Sequence, residues 1–159
     1  MTLYFAYGSN MSRAGMALRC PSACALGAAT LPGWRFVIGA DGYASIARAP
    51  GERVIGVLWR LAARDVAALN AYEGVDVGLY RQCRLMVRHQ GRARSAMVYV
   101  ACRGGEGRPR PGYLEEVIAA ARAWMLPADY VAELARWSTR HNIGACKAGA
   151  NPCASSAMW

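Results

Sequence analysis

The sequence predicts an α+β fold, in which short strands and amphipathic helices build a single domain. Three observations support this prediction. Several apolar and aromatic runs have the length of buried strands, about 4 to 8 residues. Other segments repeat apolar residues at helical spacing next to capping residues. With 159 residues, of which 55% are hydrophobic, the chain is long enough to bury a core and too apolar to be disordered.

The first predicted element is a strand over residues 3–7, which stops at Gly8-Ser9-Asn10. These three residues suit a tight polar turn with positive φ angles. Ser12 then stands at an N-cap position ahead of a helix over residues 13–19. The N–H groups of the turn and the positive end of the helix would converge on one point and could bind an anion there. The pattern also fits an ordinary strand-to-helix turn with no ligand.

The remaining elements follow from the same signals. Strands are predicted at residues 34–38, 44–47, 54–59, 80–87 and 96–101, and helices at residues 64–72, 112–125 and 128–137. A connection rich in glycine and proline, residues 103–111, leads into the third helix and is expected on the rim of the site. Residues 1–137 therefore form one predicted domain. Residues 138–159 lack apolar periodicity and are predicted to form a loosely ordered tail.

Glu73 is a candidate general base. It follows the helix over residues 64–72, which Gly74 is expected to terminate, so the helix dipole does not favour its anion. Its neighbours are Tyr72, Gly74 and Val75 rather than basic residues. A carboxyl group that is partly buried there would have a raised pKa, as a base working near neutral pH requires. The alternative is a surface glutamate at a frayed helix end.

The composition narrows the classes of partner. The net charge is +9, but the basic residues are scattered arginines apart from Lys147, so nucleic-acid binding is not favoured. No apolar stretch approaches the ~18 residues of a membrane span, and the N-terminus has no signal-peptide pattern. We therefore expect no membrane partner and a cytoplasmic location.

The six cysteines of the chain lack the paired spacing of zinc sites, even though His141 lies near Cys146 and Cys153 in the sequence. Reduced thiols and no metal are therefore expected.

Two motifs, taken together, resemble the γ-glutamylcyclotransferases, an AIG2-like family. These are Tyr7-Gly8-Ser9-Asn10-Met11 near the N-terminus and Glu73-Gly74-Val75 after a short helix. Residues 43–47 and 50–59 match a strand, turn and strand of the family, and residues 111–113 and 126–130 match its later helix starts. The resemblance extends from about Leu3 to about Trp137. It implies the family's architecture, a small mixed β-barrel or sheet with flanking helices.

The resemblance also implies an activity that needs no cofactor and no metal. The α-amine of a γ-glutamyl compound attacks its own γ-carbonyl, which releases 5-oxoproline and an amino acid or amine. Glu73 matches the general acid/base of this reaction, and the turn would hold the substrate carboxylate or the developing oxyanion. The substrate-binding residues implied by the match are Tyr4, Phe5, Ala6, Tyr7, Gly8, Ser9, Asn10 and Tyr113.

The identity of the leaving group stays open at this point. A γ-glutamyl amino acid is the first expectation, while γ-glutamylamines, glutathione and a larger γ-glutamyl metabolite such as an antibiotic precursor are alternatives. A non-catalytic module that binds γ-glutamyl ligands is the alternative from another class, although such a module has no need of a base at Glu73. The sequence does not distinguish a monomer from a homodimer.

Overall fold

The computed structural model describes residues 1–139, which form a closed five-stranded barrel with helices outside it. The strands are β1 (Thr2–Ala6), β2 (Cys24–Ile38), β3 (Ala44–Leu61), β4 (Tyr80–His89) and β5 (Arg92–Ala101), and the helices are α1 (Arg13–Arg19), α2 (Ala63–Tyr72), α3 (Tyr113–Ala123) and α4 (Ala128–Thr139). A short 3₁₀ turn, Ser9–Met11, joins β1 to α1. The predicted α+β fold and its barrel are confirmed.

The barrel runs in the order β1-β3-β2-β4-β5. Neighbouring strands are antiparallel except for β1 and β5, whose parallel pairing at Tyr4 and Met97 closes the barrel. The pairing of β2 with β3 is the longest, extending from Cys24–Arg60 to Ile38–Ala44 with two register shifts. The apolar faces of the strands fill the interior, where Phe5, Leu58 and Val98 are fully buried.

The N-terminal segment is fixed on both of its sides. Ser12 accepts a hydrogen bond from the backbone N–H of Gly15 (3.1 Å) and caps α1, as predicted. On the other side, the indole N–H of Trp124 donates to the carbonyl of Met11 at 2.7 Å and ties the 3₁₀ turn to the end of α3. The turn that follows β1 is therefore held against the helices as well as the barrel.

Helix α4 extends through Ser138 to Thr139, so the first two residues of the predicted tail belong to this helix. The rest of that segment, residues 140–159, lies outside the described residues. Arg53 of β3 pairs with Asp129 (2.9 Å) and Glu133 (3.6 Å), which attaches α4 to the barrel through exposed ion pairs. None of the described helices has the length and apolar character needed to cross a membrane.

Candidate active site

A cavity of about 390 Å³ opens where β1 leaves the barrel. It lies between the 3₁₀ turn, the end of α2 and the start of α3. The residues that line it are Tyr4, Tyr7, Gly8, Ser9, Asn10, Asp41, Tyr43, Ala44, Tyr72, Glu73, Leu79, Tyr80, Tyr99, Arg110 and Tyr113. Residues separated by more than 100 positions in the chain thus share one small space.

Most of the predicted site residues line this cavity, but Phe5 and Ala6 do not. Both side chains are buried in the barrel, at 0% and 1% exposure. Successive side chains of a strand point to opposite faces, so Tyr4 and Phe5 cannot both face the cavity. The ring of Phe5 instead reaches toward Gly56 of β3, where an added Cβ would lie 3.0 Å from it.

Glu73 sits at the C-terminal end of α2, where its N–H donates to the carbonyl of Leu69 at 2.8 Å. Gly74 follows with a φ of 62°, the left-handed conformation that glycine favours, and ends the helix as predicted. The helix end thereby directs the Glu73 carboxylate at the turn after β1. There the carboxamide of Asn10 donates from Nδ2 to Glu73 Oε1 at 2.8 Å and also to the hydroxyl of Tyr4 at 3.0 Å.

Burial raises the pKa of the Glu73 carboxyl from 4.5 to about 7. The hydrogen bond from Asn10 and the positive charge of Arg19 act in the opposite direction but do not cancel this effect. Near neutral pH the carboxylate and the carboxylic acid are therefore both populated. A group in this state can accept a proton in one step and return it in the next.

Seven tyrosines line the cavity, and burial raises the pKa of five of them. The pKa values of Tyr99 and Tyr113 reach about 12, and those of the other three also rise. All five are therefore uncharged at neutral pH and act as hydrogen-bonding groups on an otherwise apolar surface. The five are Tyr4, Tyr7, Tyr80, Tyr99 and Tyr113.

The turn after β1 differs from the prediction in its backbone conformation. Gly8 has φ −114°, so the expected positive φ angle is wrong. Glycine is needed there because a Cβ would lie 2.9 Å from the Tyr113 hydroxyl and 3.2 Å from the Cβ of Ala44. The turn forms by donation from Met11 N–H to the carbonyl of Gly8 at 3.0 Å. The N–H groups of Ser9 and Asn10 precede this bond in the turn and have no acceptor within it.

Tyr113, at the first position of α3, closes the opposite side of the cavity. Its hydroxyl oxygen accepts from the backbone N–H of Ala44 at 3.2 Å. The hydroxyl of Tyr80 donates to the carbonyl of the same residue at 2.8 Å. The ring of Tyr43 packs edge-on against Tyr113, with centroids 5.0 Å apart. These contacts fix the phenol beside Gly8.

The rim of the cavity carries charged groups of both signs. Arg110 belongs to the segment 103–111 that was expected there, and it donates from Nε to the carbonyl of Asp41 at 3.0 Å. Its guanidinium lies 4.8 Å from the ring centroid of Tyr43. Asp41 accepts from the N–H of Tyr43 at 3.1 Å. Both charged side chains are exposed and can exchange these contacts for a ligand.

The sequence did not reveal several residues that the fold brings to the site. Arg19 donates from Nη1 to the side-chain Oδ1 of Asn10 at 3.0 Å. Tyr99 of β5 donates to Asn70 at 2.7 Å, which joins the barrel to α2. The sequence carries no local signal for either contact, since each partner lies on another element. Among the described residues no three metal-ligating side chains cluster, and the zinc candidates His141, Cys146 and Cys153 lie outside those residues.

Comparisons with known proteins agree with this architecture. A sequence profile of the AIG2-like family matches residues 53–134. The γ-glutamylcyclotransferases of Mus musculus and Homo sapiens are each 30% identical to this chain over 143 residues, covering 83% of it and 76% of the relative. A solved structure named as a γ-glutamyl cyclotransferase superposes with a TM-score of 0.79 at 29% identity, covering 84% of this chain and 86% of that one. The family profile, which matches more than half of the chain, shows that this chain belongs to the AIG2-like family.

Proposed function

We propose that this chain is a γ-glutamylcyclotransferase, the activity for which its relatives are named. The observation that carries the proposal is the carboxyl group of Glu73, which lines a small cavity with its pKa raised to about 7. A module that merely bound γ-glutamyl compounds would have no use for a group poised to exchange protons. We further propose that the catalytic unit lies within residues 1–139.

The reaction begins when Glu73 accepts a proton from the α-ammonium group of the substrate, because an ammonium has no lone pair with which to attack. The amine nitrogen then forms a bond to the γ-carbonyl carbon, and the carbonyl oxygen takes up the negative charge. The intermediate collapses when the bond from this carbon to the departing nitrogen breaks. Glu73 returns its proton to that nitrogen, and the ring nitrogen, which still carries two hydrogens and a positive charge after the attack, loses one of them to the solvent, so that 5-oxoproline, a neutral amine and one proton are released.

The turn and the tyrosines bind the substrate in this proposal. Ser9 and Asn10 line the cavity; the backbone N–H of Ser9 interacts with the Tyr113 hydroxyl, and that of Asn10 is suited to a carboxylate or to the developing oxyanion. The hydroxyl of Tyr113 accepts from Ala44, which leaves its own hydrogen for a substrate oxygen. The reaction is already intramolecular, so holding amine and carbonyl near contact supplies much of the acceleration.

The rim favours an amino acid as the leaving group. In a γ-glutamyl amino acid the leaving half keeps a free carboxylate, because its nitrogen is part of the scissile amide, and the cavity edge carries a cation, Arg110, that can bind this carboxylate. A simple γ-glutamylamine would leave Arg110 without a ligand carboxylate. We therefore propose γ-glutamyl amino acids as the substrate class. The cytoplasmic location expected from the sequence stays a prediction.

A substrate panel tests the proposal directly. The purified protein is incubated with a γ-glutamyl amino acid, a γ-glutamylamine and glutathione, and 5-oxoproline is quantified by mass spectrometry. We expect release from all competent substrates to depend on Glu73, with the highest kcat/KM for the γ-glutamyl amino acid. Absence of 5-oxoproline with every compound, from protein shown to be folded, would contradict the proposed activity. A preference for the γ-glutamylamine would contradict the role given to the rim.

A further inference from the structure

Arg19, in the last turn of α1, reaches Glu73 through one intervening side chain. Its Nη1 donates to Oδ1 of Asn10 at 3.0 Å, and Nδ2 of the same carboxamide donates to Glu73 Oε1 at 2.8 Å. A guanidinium has hydrogen-bond donors and no acceptor. It can therefore bind only the oxygen of the carboxamide, and this leaves the NH₂ group of Asn10 to face Glu73.

Arg19 makes this contact from outside the cavity that holds Glu73. It does not line that cavity but a second, open groove of about 580 Å³ between α1 and α3, which Arg13 and Trp124 also line. A substrate in the first cavity would not touch its side chain. Any effect of Arg19 on the reaction must pass through Asn10 or through its charge.

Two further contacts hold the guanidinium in place. Its carbon lies 4.1 Å from the ring centroid of Tyr72, the residue before Glu73. On the other side, a Cβ at Gly15 would lie 2.7 Å from Nη1 of Arg19. Glycine at this helical position, which costs roughly 1 kcal/mol relative to alanine, therefore leaves the space that the guanidinium occupies.

We propose that Arg19 is a positioning residue for the reaction, which locks the Asn10 carboxamide with its NH₂ group toward Glu73. The inference rests on the proposed function, in which Glu73 is the base. Without Arg19 the carboxamide can rotate and place its oxygen against the carboxylate. Two acceptors cannot share a hydrogen unless Glu73 is protonated, so the rotated arrangement favours the acid over the base.

The other groups around Glu73 do not replace the charge of Arg19. Cys20, next to Arg19, carries a thiol whose pKa burial raises to about 11, and Asp65 acts on this thiol. Loss of Arg19 is therefore expected to raise the pKa of Glu73 and to lower the fraction of base at neutral pH. The remaining groups that act on Glu73, from β1, β4, β5 and α3, are uncharged tyrosines: Tyr4, Tyr7, Tyr80, Tyr99 and Tyr113.

The pH dependence of kcat/KM for 5-oxoproline release tests this role in Arg19→Met and Arg19→Lys. For Arg19→Met we expect the acidic limb to move upward by about one pH unit, so that the rate at neutral pH falls roughly fivefold and recovers in mild alkali. Arg19→Lys keeps the charge but not the planar donor group, and the acidic limb of its pH profile should move less.

The control is Arg13→Met, which removes a cation from the same helix and groove. Arg13 stacks on Trp124 at 3.5 Å instead of contacting Asn10. The acidic limb of the pH profile of Arg13→Met should therefore stay at its wild-type position.

Two further variants keep the test valid if Arg19→Met folds poorly. Gly15→Ala places a Cβ against Nη1 of Arg19 while favouring the helix, and it should shift the limb in the same direction without lowering Tm. In Arg19→Ala, millimolar methylguanidinium can enter the open groove and should return the acidic limb of the pH profile toward its wild-type position. Unchanged pH profiles in Arg19→Met and Arg19→Ala, or an equal loss of rate at every pH with no rescue by methylguanidinium, would overturn this inference. A wild-type protein that releases no 5-oxoproline would instead overturn the proposed function.

Discussion

At the scale of a single residue, Glu73→Gln separates proton transfer from the other properties of the side chain. Glutamine keeps the size and an oxygen that can accept from Asn10, but it does not take up a proton at working pH. We expect kcat for 5-oxoproline release to fall by about 10² to 10⁴-fold, the usual contribution of a positioned general base. Binding of a γ-glutamyl ligand, measured by calorimetry, should persist because the turn is unchanged.

The matched control for this substitution is Glu115→Gln. Glu115 lies in the first turn of α3, is exposed, and is not among the residues that line the cavity. The same chemical change there should leave kcat near the wild-type value. A folded Glu73→Gln protein with near wild-type turnover would remove the base from the proposed mechanism.

Tyr113→Phe addresses substrate binding rather than proton transfer. The ring and its packing on Tyr43 are kept, while the hydroxyl that accepts from Ala44 and faces Gly8 is lost. A hydrogen bond to substrate contributes about 0.5–1.5 kcal/mol, so KM should rise by up to about tenfold with little change in kcat. Steady-state kinetics on one γ-glutamyl amino acid provide the measurement. A change confined to kcat would assign the hydroxyl a chemical role instead.

At the scale of elements, the sequence predicts what local signals determine. Helix α1 begins as predicted because Ser12 caps it, and α2 ends at Tyr72, just before Glu73, because Gly74 adopts a positive φ. The first half of β2 was missed, since its alanines and glycine are poor strand formers. That half is a strand because it pairs with β3 along residues 24–32. The separate strands predicted at residues 44–47 and 54–59 likewise merge into β3.

The candidate site, like the elements, was predicted where local sequence signals determine it and missed where contacts between elements do. Glu73, Tyr113 and the turn after β1 were assigned to the candidate site from motifs that are contiguous in sequence, and all of them line the cavity. Arg19 and Asp41 were not assigned to the site, since neither belongs to its sequence motifs, and Arg110 was expected there only as part of the rim segment 103–111. Phe5 was included with its motif but does not line the cavity, because a contiguous motif does not show which face of a strand each residue occupies.

Gly56→Ala tests how β1 is held against β3. A Cβ at this position would clash with the carbonyl oxygen of Ala6, and a backbone atom cannot move aside as a side chain does. We expect the free energy of unfolding to fall by about 3 kcal/mol and Tm by roughly 10 °C, measured by scanning calorimetry. The control is Gly104→Ala, where a Cβ meets no atom within 4 Å. Equal Tm values for the two variants would show that the strands separate without cost.

At the scale of the whole molecule, closure of the barrel creates the cavity. The parallel contact of β1 with β5 places the turn after β1 beside Tyr99, and Tyr99 in turn binds Asn70 of α2. The last turn of α2 is thereby drawn over the open end of the barrel, carrying Glu73 with it. Burial of this carboxyl is a consequence of the fold, so its protonation is coupled to folding.

The coupling gives a prediction for stability against pH. The pKa of Glu73 is about 7 in the folded protein and near 4.5 when the chain is unfolded. Between these values the folded state binds more protons than the unfolded state, so the contribution of Glu73 to stability falls as pH rises. The cost of the buried carboxylate is complete above about pH 7 and absent below about pH 4.5. Glutamine at this position carries no such cost at any pH.

Tm of the wild type and of Glu73→Gln is therefore measured side by side from about pH 5 to about pH 8, so that groups common to both proteins cancel in the difference. We expect the Tm of Glu73→Gln, relative to that of the wild type, to increase steadily as the pH rises. This difference in Tm should level off above the folded pKa of about 7. Glu115→Gln again serves as the control, because Glu115 is exposed to solvent. The Tm of this variant relative to the wild type should differ little and should not change over this pH range. A difference between Glu73→Gln and wild type that is constant with pH would mean that Glu73 ionises in the folded protein as it does in the unfolded chain. In that case its carboxyl would not be poised to exchange protons near neutral pH.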